Sequence, residues 1–294
     1  MHKLTQEILE QTITKRANAT HKGDYGRILI IGGTEQYGGA VIMNALAAVN
    51  SGSGLVTVAT HPSNFTALHS HLPEAMVTDY TQDLTAFITK ADVVLIGSGL
   101  GEQLAILTAT LNSVRSDQIL ILDGSALTLL AEHQLDLPCA CSLSPVPAQS
   151  LGRAGWRTPL TPHEMEWQRL SQIEIAEQTP AKNLAALATF KPSPILVLKK
   201  YQTEIYTADQ VFQLTIGGPY QATGGMGDTL AGIIAGFSGQ FRTSLEQAVL
   251  AAVYVHSAIA DDLARERYVV LPTQISAEIP KLMHDYANKK LTNL

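Results

Sequence analysis

"ATGGMGDTLAGIIAGF", residues 222–237, sets three glycines within four positions directly ahead of an aspartate and a helical run. From Leu230 the apolar residues Ile233, Ile234 and Phe237 recur at helical spacing, on one face. Gly224 to Asp228 therefore falls at a helix N-terminus. There the first amide N–H groups lack intrahelical partners and the helix dipole is positive, so an anion is favoured. Glycine lets the backbone approach that anion closely and take positive φ. Gly224, Gly225, Met226 and Gly227 accordingly read as an anion hole. Neither a dinucleotide-binding fingerprint nor a Walker A loop places a carboxylate against the phosphate as Asp228 does. A carboxylate so placed is repelled by phosphate unless it has a chemical task. That task would be general-base catalysis: taking the proton of a hydroxyl that attacks a phosphoryl group while the amides carry the charge on the phosphate oxygens. The plain alternative is a glycine-rich turn with Asp228 as a helix-start charge.

The chain around this stretch has 294 residues, 46% of them hydrophobic, enough for one large α/β domain or two small ones. A formal net charge of −6 argues against a general nucleic-acid or anionic-membrane binder, which would show a basic footprint. Cys139 and Cys141 are too few and too close for a disulfide framework, so free thiols in a reducing compartment are expected. The opening residues 1–16 read as a polar amphipathic helix, no run of 18 apolar residues occurs, and a cytoplasmic location is the default.

Buried strands are predicted at "RILIIGG" (27–33), "LVTVAT" (55–60), "DVVLIGSG" (92–99), "QILILDG" (118–124) and "ILVLKK" (195–200), with helical patterns such as 40–50 and 104–114 between them. This alternation implies right-handed crossovers and a mostly parallel sheet with helices on both faces. Several strands end in glycine or aspartate, at Gly32-Gly33, Gly97-Ser98-Gly99 and Asp123-Gly124, which locates the ligand crevice at their carboxyl ends. "TEIYTADQVFQLT" (203–215) reads as a β-hairpin on the sheet edge. A last helical stripe runs through Val249, Ala252, Val253, His256, Ala260 and Leu263, with Ser244 and Gln247 as a capping box and His256 as a satisfied core histidine. Segment 141–160 shows no period.

Taken together, "ATGGMGDTLAGIIAG", "HKGDYGRILIIGGTEQYGGA" (21–40), "NSGSGLVTVAT" (50–60), "IGSGLG" (96–101), "TPHEMEWQRL" (161–170) and "VLKK" (197–200) closely resemble, in order, the motifs of the ADP-dependent NAD(P)H-hydrate dehydratases of the ribokinase-like superfamily. The resemblance covers nearly the whole chain and implies one ribokinase-like three-layer domain over 1–294, without the epimerase domain that some relatives carry in front. It implies that ADP phosphorylates the C6 hydroxyl of hydrated NADH or NADPH, after which phosphate leaves, giving NAD(P)H, AMP and phosphate. Mg2+ as cofactor, an epimerase on a separate chain and a homotetramer belong to the same expectation. Carried over by position, Asp228 would be the base; Ala40, Gly101, His163 and Asp228 would touch the hydrate; Lys199, Lys200, Tyr201, Gln202, Thr203 and Gly227 would line the nucleotide. No resident metal ligand is assigned. Asp123 could hold a magnesium-bound water or cap the helix of "SALTLL", and Lys22 is placed near the substrate mouth.

The chain also departs from the pattern. "DGSALT" (123–128) replaces the usual D-A-D-A-L-N, "TPHEME" replaces T-P-H-P-G-E, and Lys200 stands where glycine is usual, either adding charge for phosphate or pointing to solvent. Pro159, just ahead of T-P-H, is poorly compatible with a central strand. The nearest rival reading is a small-molecule kinase of the same fold acting on a hydroxymethyl-pyrimidine or hydroxyethyl-thiazole. A non-catalytic nucleotide sensor is the rival from another class.

Overall fold

The structure is a computed structural model and describes residues 1–138, 158–208 and 210–289. Cys139, Cys141 and most of segment 141–160 lie outside the described residues. Ten strands form one sheet: β1 (His2–Leu4), β2 (Arg27–Ile31), β3 (Leu55–Thr60), β4 (Met76–Asp79), β5 (Val93–Ile96), β6 (Ile119–Leu122), β7 (Pro159–Leu160), β8 (Ile195–Leu198), β9 (Glu204–Tyr206) and β10 (Val211–Leu214). Their spatial order is β1-β10-β9-β8-β7-β6-β5-β2-β3-β4. From β8 through to β4 every neighbouring pair is parallel, and β9 is antiparallel to both β8 and β10.

The side-chain period of two explains the layering. In β2, Ile28 and Ile30 face one core while Leu29 and Ile31 face the other; in β5, Val93 and Leu95 oppose Val94 and Ile96. With both faces buried, these strands read as continuous apolar runs rather than as alternation. The first face is covered by α1 (Glu7–Thr12), α2 (Gly38–Asn50) and α3 (Phe65–His71). The second carries α4 (Thr85–Lys90), α5 (Leu104–Ser113), α6 (Ser125–Glu132), α7 (Glu164–Ser171) and α8 (Pro180–Leu187). The chain then returns to the first face with α9 (Met226–Gln240), α10 (Leu245–Ala264) and α11 (Pro272–Ala287). The expected three-layer, mostly parallel architecture is what forms.

Four local expectations are corrected. Residues 2–4 pair in parallel with β10, so only Glu7–Thr12 of the opening segment is helical, and the hairpin of β9 and β10 is inside the sheet rather than on its edge. Pro159 does enter a central strand, between β6 and β8. It is tolerated because β7 is two residues long and proline is its first, where no ladder N–H is needed; the next donor, Thr161 N, bonds Leu122 O at 3.1 Å. The segment from Lys22 to Tyr25 lies at the amino end of β2, with the Lys22 backbone against Gly54 and Gly26 against Gly239 at the far end of α9. That is the amino end of the strands, opposite the carboxyl-end crevice, so Lys22 does not stand at that crevice.

α9 and α2 pack through small residues. A Cβ on Gly232 would stand 2.8 Å from Ala47 Cβ, and one on Gly236 would stand 2.6 Å from Ser51 Cβ. The opening motif thus holds two kinds of glycine: those before Asp228 shape the turn, and those after it let two helices approach. Ser244 Oγ accepts the Gln247 amide at 3.2 Å, the N-cap half of the capping box its sequence implied.

Candidate active site

The chain leaves β2 towards β3 and β4 on one side, then returns to β5 on the other, so β2 and β5 flank a topological switch point. Loops leaving such a pair diverge and open a crevice above the strand ends. The two loops are stitched together: Gly33 N donates to Ser98 O at 3.1 Å and Thr34 N to Gly99 O at 2.8 Å.

Over this crevice stands the start of α9. Gly225 is its N-cap with φ +93°, a conformation unfavourable for a side chain, and a Cβ there would overlap the Met43 thioether. The first intrahelical bond runs from Thr229 N to Gly225 O at 2.9 Å, so the amides of Met226, Gly227 and Asp228 have no intrahelical acceptor. Asn44 Nδ2 of α2 donates to Asp228 O at 2.6 Å and fixes this first turn in place. The helix start expected from sequence is therefore formed, with Gly224 exposed in front of it and no atom within 4 Å of a Cβ added there.

Behind the turn lies a buried charge cluster. Lys199, one residue past β8, donates from Nζ to Asp123 Oδ1 at 2.9 Å, with side chains 21% and 3% exposed. Thr161 Oγ1 donates to the same Oδ1 at 2.7 Å and Ser98 Oγ donates to Oδ2 at 2.9 Å. Asp123 is thus not the helix cap: the N-cap of α6 is Gly124, and an ammonium stands beside the carboxylate. Burial alone would lower the Lys199 pKa, but Asp123 and Glu166 outweigh it and hold the ammonium above the ordinary lysine value. Asp228 moves the other way for a carboxyl. Burial and then the Asp123 charge push it up to about 6, against the opposing pull of Lys199 and the Ser98 hydroxyl. A carboxyl near 6 is poised to take a proton near neutral pH.

Two cavities meet at this cluster. One, about 930 Å³, is lined by Ser98, Gly99, Gly101, Gly124, Ser125, Glu166 and Asp228 among others. The second, about 850 Å³, is lined by His163, Lys199, Lys200, Tyr201, Gln202, Thr203, Met226 and Gly227 among others. Consecutive residues Gly227 and Asp228 thus face different cavities. The start of α7 forms part of the partition. His163 N donates to Glu166 Oε2 at 2.8 Å and Glu166 N donates to His163 Nδ1 at 3.2 Å, a reciprocal capping box with one member in each cavity wall. Burial and then Lys199 hold His163 below the usual histidine range. His163, grouped by sequence with Gly101, is placed instead beside Lys199; Ala40, half-buried, sits in the first turn of α2 against Gly99 and is not among the residues lining either cavity.

Sequence reasoning missed three features. Lys200 is bonded to the buried Glu204 at 3.2 Å, so it is neither a free charge for phosphate nor a solvent residue; Glu204 continues through Tyr206 and Asn183 to Trp167. His256 is buried and lines the second cavity, with Gln221 Nε2 3.3 Å from its Nδ1 and, among the described residues, no hydrogen-bond partner for Nε2, rather than being a satisfied core histidine. Burial pushes it down to about 4, leaving it neutral. The Asp123–Lys199 pair joins residues 76 apart, and no local pattern announces it. Among the described residues no group of three His, Cys, Asp or Glu side chains is placed to hold a metal ion.

Comparison with known proteins agrees with this geometry. A family model described as NAD(P)H-hydrate dehydratase matches residues 28–281. A relative from Lactiplantibacillus plantarum, named ADP-dependent (S)-NAD(P)H-hydrate dehydratase, is 50% identical over 292 residues, 98% of each chain. Among solved structures, a ribokinase-like superfamily protein from Enterococcus faecalis superposes with a TM-score of 0.89 at 44% identity, covering 98% of this chain and 96% of that one. An ADP/ATP-dependent NAD(P)H-hydrate dehydratase from Bacillus subtilis, co-crystallised with ATP and Mg2+, gives 0.79 at 25% identity over 97% and 98%. With the family model matching residues 28–281 and a relative half identical across nearly the whole of both chains, this protein belongs to the NAD(P)H-hydrate dehydratase family of the ribokinase-like fold.

Proposed function

We propose that this chain is an ADP-dependent (S)-NAD(P)H-hydrate dehydratase, a carbon–oxygen lyase that repairs damaged nicotinamide cofactor, and that it works as one domain. The observation that carries the reading is Asp228: a carboxyl raised to about 6, on the first turn of an anion-accepting helix, where two cavities large enough for two ligands meet.

In this reading the hydrate occupies the first cavity, against Gly101 and the crevice loops, and Ala40 supports it from the α2 start. The nucleotide occupies the second, along Lys199, Lys200, Tyr201, Gln202 and Thr203, with Gly227 at its phosphate end and His163 at the junction. Gly224, Gly225, Met226 and Gly227 form the anion hole. Asp228 takes the proton of the hydrate C6 hydroxyl as its oxygen attacks the terminal phosphorus of ADP; the bond to the AMP oxygen breaks and AMP leaves. The resulting phosphate ester is a far better leaving group than hydroxide. Phosphate departs with the C–O electron pair while the neighbouring ring carbon loses a proton, restoring the dihydronicotinamide.

Magnesium enters this reading on the nucleotide phosphates, since Mg2+ keeps most of its water and binds through one or two carboxylates at most. Both oxygens of Asp123 already accept protein donors, and among the described residues no cage is preformed for it. Its chemistry would be neutralisation of phosphate charge. A cytoplasmic location, an epimerase on a separate chain and a homotetramer complete the proposal. No described helix is long and apolar enough to cross a membrane, and exposed Tyr268, Val269 and Leu271 offer apolar surface for self-association, which sizing by light scattering tests.

The experiment is direct. Purified protein is mixed with hydrated NADH and ADP, and the dihydronicotinamide absorbance is followed together with AMP. Recovery with AMP formed one for one is expected. No recovery with either ADP or ATP, alongside phosphorylation of a thiazole or pyrimidine alcohol, would replace this reading by that of a kinase.

A further inference from the structure

We propose that Lys199 is a catalytic residue that grips the terminal phosphoryl group of the nucleoside diphosphate, and that Asp123 is the positioning residue that aims it. This rests on the reading above for the identity of the phosphoryl donor.

The argument begins with where the ammonium is held. Lys199 Nζ lies 3.1 Å from the place a Cβ on Gly227 would occupy, beside the residue that immediately precedes Asp228. Any phosphoryl group that the Asp228-activated hydroxyl attacks must sit between that carboxylate and the free amides of the α9 start. The phosphate at this point is the one being transferred. The rest of the nucleotide runs away from it, along Lys200 to Thr203. Lys199 therefore reaches the terminal phosphoryl group and not the AMP portion.

Charge balance calls for a cation here. A phosphoryl group arriving between Asp228 and the buried Asp123 meets two carboxylates. Among the described residues that line the two cavities the lysines and arginines are Lys199 and Lys200 alone; both are paired with a carboxylate, but it is Lys199 whose ammonium stands beside Gly227 at the α9 start. That leaves Lys199 to carry the compensation. During transfer the bond between the terminal phosphorus and the AMP oxygen breaks, a bond to the acceptor oxygen forms and the acceptor proton goes to Asp228. The charge on the three spectator phosphate oxygens stays beside the ammonium throughout.

Asp123 does not touch the phosphate in this arrangement. It is 2% exposed, its Oδ1 accepts from both Lys199 and Thr161, and its Oδ2 accepts from Ser98, so three donors fix the carboxylate and the carboxylate fixes the lysine. A lysine stem left to itself would sample many rotamers; one bonded at its tip presents a single position.

The test is binding, with no hydrate present. ADP and AMP are titrated by calorimetry, in the presence of Mg2+, into the wild type, Lys199→Met, Lys199→Arg, Asp123→Asn and Thr161→Val, each checked for its melting temperature. Lys199→Met is expected to weaken ADP by about 10- to 100-fold, the range for losing a hydrogen bond to a charged group, while AMP changes less than about twofold. Lys199→Arg should restore part of the ADP affinity. Asp123→Asn should lower ADP affinity by a smaller factor, again sparing AMP, and Thr161→Val repeats that pattern more weakly should Asp123→Asn melt too low to measure. Equal losses of ADP and AMP would make Lys199 a nucleoside-side or structural residue and overturn the proposal, as would unchanged ADP binding. Failure of the cofactor-recovery assay, with the ADP-over-AMP split intact, would instead discard the dehydratase reading and leave the phosphoryl grip standing.

Discussion

Asp228 has a carboxyl pushed up to about 6, chiefly by burial, and must be ionised to accept the hydroxyl proton, so turnover should follow its titration. The ionised fraction of such a group is about ten-elevenths at pH 7 and about one-eleventh at pH 5, so kcat/KM for the hydrate at saturating ADP should fall roughly tenfold across that interval. An ordinary aspartate, near 3.8, would leave the rate almost flat there. The direction of two perturbations follows from the charges around it. Lys199 lowers the Asp228 pKa, so Lys199→Met should move the acid limb upward; Asp123 raises it, so Asp123→Asn should move the limb downward. Ionisation of ADP itself is common to all three proteins, and the displacement between their profiles therefore reads the enzyme group. The assay is initial rates of cofactor recovery in constant-ionic-strength buffers from pH 5 to 8. A profile flat over pH 5 to 7, or two variants displaced in the same direction, would refute Asp228 as the ionising base.

The same shift makes a stability prediction. The folded carboxyl binds its proton more tightly than the unfolded one, so between about pH 4 and 6 the native state holds a proton the unfolded chain has lost, and stability falls as pH rises through that window. Two units at about 1.36 kcal/mol each set a ceiling near 3 kcal/mol, reduced because the group is partly solvated. Asp228→Asn should therefore be inactive yet about 1–2 kcal/mol more stable than wild type at pH 7, with the gain vanishing by pH 4; thermal melts at both values check it. Gly224 and Gly225 should separate cleanly. Gly225→Ala, with φ +93° and the Met43 thioether in the way, should cost about 1–3 kcal/mol. Gly224→Ala meets open space and should leave the melting temperature unchanged while weakening ADP, because its methyl enters the ground the phosphate must approach.

How far the sequence carried depended on the range of the interaction. α9, its glycine N-cap and Asp228 were legible because helix periodicity and glycine chemistry act over a few residues. The five buried strands were legible because a parallel sheet covered on both faces leaves unbroken apolar runs. β1 was not, since three residues carry no period and gain strand geometry only from a partner some 200 positions away. Pro159 misled for a related reason: proline argues against a central strand in general, and only the neighbours of β7 show that its first position asks for no N–H. At the site, sequence singled out both Lys199 and Asp123 but not the pairing between them, and assigned Lys200 either charge duty or solvent while the fold gave it Glu204. Long-range polar pairs leave no trace in spacing.

The two helix-contact glycines give α9 a mechanical character. Thr229 through Gly239 are all buried, so the helix that presents the reacting carboxylate is also a rod clamped along its length by the core. Gly236 stands ten residues beyond Met226, a lever arm of about 15 Å at 1.5 Å per residue. A side chain wedged there against Ser51 that tilted the rod by about 4° would swing the amides and Asp228 through roughly 1 Å, a displacement that can cost about 100-fold in rate. Packing at the buried end of this helix is thereby converted into aim at the other, and tolerance for substitution along it is limited by angle rather than by volume.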